Sequence, residues 1–221
     1  MPLALVTGAA RADSIAAGVV ARLRADGWDV ATSDLADADF PCDLAAPDAP
    51  EELIATVRRQ RGPLDALVLS HAHDVESGAL DTSVESFDRH MAVNARASML
   101  LIAAFARQAP TTGGAIVAFT SDHTTGNMPY GASKAALDRI VISAARELGP
   151  RGISATVVNP GPIDTGWMTP DIRDALLPAQ PLGRLGTPRD IGALTSFLLS
   201  DEGRWVSGQL LHADGGFSAR Y

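Results

Sequence analysis

The chain has 221 residues, of which 46% are hydrophobic and 20% charged, so we expect one globular domain spanning residues 1–221. Its formal net charge of −8 is unfavourable for nucleic acid or an anionic membrane, because both attract basic surfaces. A single cysteine, Cys42, excludes an intrachain disulfide, and no signal-peptide pattern or run of roughly 20 apolar residues is present, so we expect a soluble cytoplasmic protein with no membrane partner.

Apolar, strand-like segments alternate with helix-like ones along the chain. The predicted strands are 3–7, 29–34, 40–45, 64–70, 114–121, 153–159 and, with a turn, 208–216. The predicted helices are 14–26, 51–60, 83–108, 130–148 and 187–200. Continuous apolar runs such as "ALVL" and "AIVAF" are typical of strands buried on both faces. The alternation predicts a doubly wound α/β fold, with a mainly parallel sheet and helices on both faces.

Polar residues or glycines follow the predicted strands at their carboxyl ends. In doubly wound folds, ligands bind along this edge of the sheet. The sequence therefore predicts a ligand site built from the strand ends Thr7-Gly8, Ser33-Asp34, Asp43, Ser70-His71, Thr120-Ser121 and Asn159-Pro160-Gly161.

The segment "PYGASKAAL" contains the clearest candidate for acid–base chemistry. Tyr130 and Lys134 are four residues apart, which places them on one face of a helix. A neighbouring cation favours the phenolate form of a tyrosine, so the pair is suited to proton transfer near neutral pH. Taken alone, the same spacing also fits the start of an amphipathic helix. Ser121 at a strand end and Asn94 inside a helical run are polar candidates that also have structural explanations as a cap and as a buried hydrogen-bonding residue.

Several of these segments together resemble the short-chain dehydrogenase/reductase family, in particular its 3-oxoacyl-carrier-protein reductases. The segments occur in family order: "ALVLSHA", "VNARA", "FTS", "YGASKAA", "VVNPGPIDT" and "GQLLHADGG". The resemblance implies a Rossmann-type fold with seven strands, a nicotinamide cofactor, and hydride exchange with a small-molecule alcohol or carbonyl substrate. It also implies that Tyr130 moves the proton, Lys134 lowers its pKa and holds the ribose, Ser121 orients the substrate oxygen, and Asn94 supports a proton relay.

The first loop, "TGAARADSIAAG", is a divergent form of the expected cofactor loop. Gly8 supplies the tight turn, and Ser14 caps the following helix so that its hydroxyl and nearby N–H groups can face a pyrophosphate. Ile15 belongs to a "SIAxG" variant similar to that of enoyl-reductase members. Asp34 favours NAD over NADP, because its carboxylate can accept the ribose hydroxyls and repels a 2′-phosphate. Arg11 could instead pair with that phosphate, so NADP stays possible.

The resemblance assigns further cofactor contacts along the same edge. Asp43 matches a position that binds the adenine amino group, while Ile163 and Thr165 would contact the nicotinamide and pyrophosphate. The predicted cofactor-binding residues are Gly8, Arg11, Ser14, Ile15, Asp34, Asp43, Leu44, Ser70, His71, Ala72, Asn94, Tyr130, Lys134, Pro160, Gly161, Ile163 and Thr165.

Three features depart from the family pattern. The segment 69–72 reads "LSHA" where the family usually has "NNAG". The loop between Ser121 and Tyr130 is short. The segment before Pro188 is also short, and it contains Trp167 and Met168 as candidate apolar substrate contacts.

Two alternatives use the same fold without hydride transfer. One is a non-redox enzyme of lyase, epimerase or dehalogenase type, and the other is a non-catalytic dinucleotide sensor. The retained Lys134 and Asp34 argue against the dehalogenase type, and the intact tyrosine–lysine pair argues against a sensor. The spacing of the five histidines offers no third ligand beside His71 and His73, so we expect no metal. The resemblance also implies a homo-oligomer, a dimer or a homotetramer.

Overall fold

The computed structural model describes residues 1–123, 125–166 and 168–219, and within them seven strands form one sheet. The strands are β1 (Leu3–Thr7), β2 (Asp29–Asp34), β3 (Phe40–Pro41), β4 (Ala66–Leu69), β5 (Gly114–Phe119), β6 (Ile153–Asn159) and β7 (Leu210–His212). Their order in the sheet is β3-β2-β1-β4-β5-β6-β7, and every pairing is parallel. This confirms the predicted doubly wound Rossmann-type fold, and the sheet is parallel throughout.

Helices connect the strands. They are α1 (Ile15–Ala25), α2 (Ala49–Arg61), α3 (Val84–His90), a π-helix (Met91–Ala97), α4 (Ser98–Gln108), α5 (Met128–Leu148), α6 (Pro170–Leu176) and α7 (Pro188–Leu199), with short 3₁₀ turns at Gly149–Arg151, Leu177–Ala179 and Gly203–Trp205. The predicted helix 83–108 is therefore interrupted by a π-helix in its middle. Helix α6 was not predicted. The structure describes no helix that is both long and apolar enough to cross a membrane.

The sheet is buried on both faces, which explains the continuous apolar runs of its strands. On one face, Leu5 and Leu67 pack against residues of α4 and α5 such as Phe105. On the other face, alternate strand residues such as Val6 and Val68 pack against α1 and α7. The strand order reverses between β1 and β4, and the crevice outside the carboxyl ends of these two strands is where doubly wound folds bind ligands.

Helices α1 and α7 approach each other through two glycines. A Cβ atom on Gly192 would lie 2.6 Å from the carbonyl oxygen of Gly18, and one on Gly18 would lie 2.3 Å from the carbonyl oxygen of Pro188. The lack of side chains therefore lets the two backbones touch. This contact fixes the position of α1, whose amino end faces the crevice between β1 and β4.

We expect Gly192→Ala to destabilise the protein by about 1–3 kcal/mol, because the added methyl group would push α7 away from α1. Gly149→Ala is the matched control: this residue has a right-handed helical backbone and open space around its missing Cβ. Alanine there should leave the stability unchanged or raise it by up to about 1 kcal/mol. The free energy of unfolding in urea measures both effects, and equal values for the two variants would contradict the packing argument.

Candidate active site

The first loop closes around Ser14, which caps α1. Ser14 has an extended backbone, its Oγ accepts a hydrogen bond from the Ala17 N–H at 3.0 Å, and the same hydroxyl donates to the Arg11 carbonyl at 2.8 Å. The chain enters this loop through Gly8, whose φ of +74° suits glycine. A Cβ on Gly8 would lie 2.7 Å from the backbone of His71. The loop thus runs directly over the end of β4, and Ile15 begins the helix beyond it.

The carboxylate of Asp34 stabilises the same loop from the end of β2. Its oxygens accept hydrogen bonds from the Ala10 N–H at 2.9 Å and from the Leu35 N–H at 2.8 Å. A carboxylate has further lone pairs for a ligand hydroxyl. Asp34 therefore lies at the edge of the sheet where the sequence predicted it, with an additional structural role that the sequence did not reveal.

Arg11 connects the first loop to the segment after β6. Its guanidinium donates to the Asp13 carboxylate at 2.8 Å and to the Thr165 carbonyl at 2.6 Å. A Cβ on Gly166 would lie 2.3 Å from the Asp13 carboxylate, so the two segments are in close contact. These contacts hold the guanidinium at the Thr165 segment, and they supply a structural role beside the 2′-phosphate role considered above.

Asp43 and Leu44 follow β3 at the far side of the crevice. The Asp43 carboxylate accepts from the Ala45 N–H at 3.0 Å and faces the Arg89 guanidinium at 3.2 Å. The Ala45 hydrogen bond, assisted by Arg89, lowers the pKa of Asp43. Leu44 is buried in the core. Asp43 is half-exposed and its carboxylate stays ionised at neutral pH.

The segment "LSHA" buries a histidine under the end of β4. His71 Nε2 lies 3.1 Å from the Val93 carbonyl, which can only accept, so this nitrogen carries the proton. Nδ1 lies 2.7 Å from the Thr7 hydroxyl and accepts its hydrogen bond. Burial, with a smaller contribution from the Lys134 cation, lowers the pKa of His71 to about 3. A neutral imidazole therefore joins β1 to the π-helix. The neighbouring Ser70 donates its N–H to the Thr7 hydroxyl, and Ala72 is exposed.

The π-helix presents Asn94 to two other segments. Its Oδ1 accepts from the His73 N–H at 2.7 Å, and its Nδ2 donates to the His73 carbonyl at 2.9 Å and to Ser133 Oγ at 2.8 Å. Ser133 in turn donates to the Tyr130 carbonyl at 2.8 Å. The fully buried amide of Asn94 thus has every donor and its acceptor in use. It connects the segment after β4 with the helix that carries Tyr130.

Lys134 is buried directly below Tyr130. Its Nζ donates to the Phe119 carbonyl at 2.9 Å and lies 5.6 Å from the centre of the tyrosine ring. Burial lowers the pKa of Lys134 to about 8, although Asp138 and Asp74 oppose this shift. The spacing of the pair on one helix face is as the sequence predicted.

The pKa of Tyr130 differs from the expectation. Burial raises it above the ordinary value of a phenol, and the negative charge of Asp74 raises it further. The net shift of the Tyr130 pKa is therefore upward, and the expected lowering of this pKa by Lys134 stays a prediction. Ser121, at the start of the loop after β5, accepts a hydrogen bond from the His123 N–H at 3.1 Å.

The segment after β6 closes the crevice. Gly161 has a φ of +61°, and a Cβ there would lie 2.4 Å from the Cβ of Asp214. Pro160 precedes it at the strand end, and the buried Ile163 pairs with Gly186. The Thr165 carbonyl receives the Arg11 contact. Trp167 lies outside the described residues, and Met168 is half-buried.

Sequence reasoning did not assign the hydrogen bonds that organise this edge, although Thr7 was among the predicted strand ends. Thr7 and Ser133 are buried small polar residues whose hydrogen bonds could not be assigned from their sequence positions. Asn127 donates from Nδ2 to the Asp74 carboxylate at 2.6 Å. The signal in the sequence was the acidic residue Asp74 in the run "SHAHD", directly after a central strand. His71 and His73 have separate roles, since the His73 ring stacks edge-on against His90 at 4.5 Å between centroids.

A family model described as enoyl-(acyl carrier protein) reductase matches residues 8–218. The chain is 34% identical to the short-chain dehydrogenase/reductase eriH of Hericium erinaceus, over 97% of this chain and 96% of the relative. It is 40% identical over 158 residues to the uncharacterized oxidoreductase YjdA of Bacillus subtilis (strain 168), a match that covers 68% of this chain and 63% of that protein. The chain therefore belongs to the short-chain dehydrogenase/reductase family of oxidoreductases.

A solved structure supports the same family. The short chain dehydrogenase from Burkholderia cenocepacia J2315, in complex with NADP, is 32% identical to this chain with a TM-score of 0.90, and the superposition covers 99% of this chain and 98% of the other. The family predicted from the segment order is thus confirmed by both sequence and structure.

We expect His71 to weaken the fold in acid. The folded protein keeps this imidazole neutral down to a pH of about 3, whereas the unfolded chain takes up its proton near the ordinary pKa of about 6.5. The contribution of neutral His71 to the free energy of unfolding is therefore fully present above a pH of about 6.5. It falls as the pH decreases toward 3, by up to about 1.4 kcal/mol per pH unit.

The test compares urea unfolding of the wild type and His71→Gln between neutral and acidic pH. Glutamine can keep one hydrogen bond but cannot titrate, so the variant should lose less stability on acidification than the wild type. His212→Gln makes the same substitution at an exposed histidine of β7 and is the control for the change of residue type. If wild type and His71→Gln lost the same stability on acidification, the lowered pKa of His71 would be contradicted.

Proposed function

We propose that this protein transfers a hydride between a nicotinamide cofactor and a secondary alcohol or its ketone. The observation that carries the proposal is the buried Lys134 one helical turn from Tyr130, with Asn94 joined to the same helix through Ser133. These side chains lie at the carboxyl edge of the sheet, beside the crevice between β1 and β4. Membership of an oxidoreductase family supports the same reaction type.

The residues at this crevice fit a dinucleotide. The backbone at Gly8 leaves no room for a side chain, which suits the close approach of a pyrophosphate. The amino end of α1, capped by Ser14, offers N–H groups and the positive end of the helix dipole. Asp34 would accept hydrogen bonds from the adenosine ribose. When bound, the nicotinamide would accept or supply the hydride, and the proton would be handled by residues of this chain.

We assign the proton to the phenol of Tyr130. Its raised pKa keeps the hydroxyl protonated at neutral pH, so it is suited to donate to the oxygen of a carbonyl being reduced. Lys134 has a pKa of about 8 and is mostly charged at neutral pH. We assign it to the nicotinamide ribose and to stabilising the phenolate formed in the reaction, and we assign Ser121 to hold the substrate oxygen.

We propose NAD as the preferred cofactor, because the Asp34 carboxylate at the end of β2 would repel a 2′-phosphate. NADP is the competing choice, since the Burkholderia relative holds NADP. The non-redox enzyme and the dinucleotide sensor remain the other candidate functions. The single domain over residues 1–221, the cytoplasmic location and the homo-oligomer remain predictions from the sequence.

We expect Tyr130→Phe to reduce ketone turnover by at least about 100-fold, because the variant has no proton to donate. Calorimetric affinity for NADH should stay within a few fold, since the hydroxyl is not needed to hold the cofactor. Ser143→Ala, on the exposed face of the same helix, is the control and should behave like the wild type. Equal turnover by Tyr130→Phe and wild type would contradict the proposal that Tyr130 is the acid in hydride transfer.

We expect Asp34→Asn to raise the kcat/KM ratio of NADPH to NADH by about tenfold or more, which corresponds to about 1.4 kcal/mol of removed repulsion. Asp37→Asn makes the same change of charge at an exposed position in the following loop and should leave the ratio unchanged. A wild type that already prefers NADPH, or a ratio that moves equally in both variants, would contradict the assignment of NAD.

A further inference from the structure

We propose that Asp74 determines substrate specificity in this site and selects carbonyl or alcohol substrates that carry a protonated amine close to the reacting oxygen. The inference rests on the proposed hydride transfer at Tyr130. It concerns the class of substrate, for which the cofactor-binding residues give no information.

The Asp74 side chain is held by the helix that carries the tyrosine. Asn127, immediately before α5 and three residues before Tyr130, donates from Nδ2 to Asp74 Oδ1 at 2.6 Å. The next residue, Met128, donates its N–H to the Ser77 carbonyl at 3.0 Å. The segment after β4 is therefore attached to the start of α5 by a side-chain bond and a backbone bond.

The backbone on either side of Asp74 is also fixed. Asn94 binds both the N–H and the carbonyl of His73, on the preceding side. On the following side, the N–H of Val75 donates to Nε2 of the buried His90 at 3.1 Å. The other ring nitrogen of His90 donates to the Ser86 carbonyl at 2.7 Å, so this imidazole is neutral and correctly oriented to accept. Three side chains thus keep the carboxylate at one place.

The buried side-chain amide of Asn127 has one group without a partner among the described residues. The residue is 2% exposed, and its Oδ1 accepts no hydrogen bond from the described residues. A buried acceptor without a partner destabilises a fold. An apolar side chain would avoid this penalty but would release Asp74, so the amide is best explained by the need to position the carboxylate.

The charge of Asp74 is available to a ligand. The residue is exposed, and within the described part of the chain no lysine or arginine nitrogen lies within 4.0 Å of its carboxylate. Its carboxylate is bonded to Asn127, three residues before Tyr130, and its charge raises the pKa of the phenol. A substrate whose carbonyl oxygen meets the tyrosine would therefore bring its neighbouring atoms near a fixed negative charge. An ammonium group there gains a charge-assisted hydrogen bond, whereas a carboxylate is repelled.

The experiment compares three ketones that differ in one position. They are 2-(dimethylamino)acetophenone, which carries a protonated amine; isovalerophenone, its neutral carbon isostere; and phenacyltrimethylammonium, which carries the charge without an N–H donor. Calorimetry measures their binding to the protein loaded with NAD, a combination that cannot react. Reduction with NADH measures kcat/KM for the same compounds. The variants are Asp74→Asn, and Glu76→Gln as an exposed acidic control in the same segment.

We expect the wild type and Glu76→Gln to bind the amine at least about tenfold more tightly than its carbon isostere, and Asp74→Asn to lose this preference. If both cationic ketones bind more tightly than isovalerophenone, charge explains the preference. If only the protonated amine does, the hydrogen bond explains it. Either result supports the proposal. Equal binding of amine and isostere by the wild type, including no binding of either, overturns it. A preference that survives in Asp74→Asn also overturns it.

The two proposals can fail separately. If the amine preference in binding depends on Asp74 but no ketone is reduced with NADH or NADPH, the proposed reaction is wrong and the role of Asp74 remains. If the ketones are reduced with equal efficiency by wild type and Asp74→Asn, the reaction remains and the specificity proposal is wrong. Circular dichroism of each variant confirms that a lost preference is not a loss of folding.

Discussion

The buried side-chain amide of Asn94 is the contact on which the arrangement of the site depends. A buried amide must use its donors and its acceptor, because each one left without a partner destabilises the fold. Asn94 meets this requirement only when His73, after β4, and Ser133, on α5, are both in position. The π-helix widens the backbone at this point, as π-helices often do at functional sites. The hydrogen bonds of the Asn94 amide thus fix the position of α5, which carries Tyr130, relative to the end of β4.

Two neutral histidines extend this arrangement. His71 joins the end of β1 to the π-helix, and His90 holds the backbone after Asp74. Both have a nitrogen that must donate to a carbonyl, which fixes the tautomer and leaves the other nitrogen as an acceptor. The segment "LSHA" therefore replaces the usual small residues with an imidazole that connects strand and helix. The departure from the family pattern does not open the wall of the crevice, because the ring is directed into the core.

The sequence predicted the sheet well because parallel strands buried on both faces are continuous apolar runs. Strands 3–7, 29–34 and 153–159 have the predicted bounds, whereas the last strand, Leu210–His212, is shorter than the predicted segment 208–216. The π-helix was not predictable, because its residues have the same apolar spacing as the helix around them. For the site, Tyr130 and Lys134 lie on one helix face as the sequence predicted. The sequence could not predict the pKa of Tyr130, which depends on burial and on an aspartate distant in the chain.

The balance of charge around Tyr130 follows from these constraints. Lys134 is held 5.6 Å from the ring centre by its bond to the Phe119 carbonyl, and Asp74 is held by Asn127 at the start of the same helix. Burial raises the pKa of Tyr130 and the anion Asp74 raises it further, whereas a nearby cation such as Lys134 favours the phenolate. The Tyr130 phenol is therefore protonated at neutral pH, as the proposed carbonyl reduction requires. A cationic substrate group would neutralise Asp74, and its binding would therefore lower the pKa of Tyr130 when the proton is transferred. Substrate recognition and acid catalysis would then use the same carboxylate.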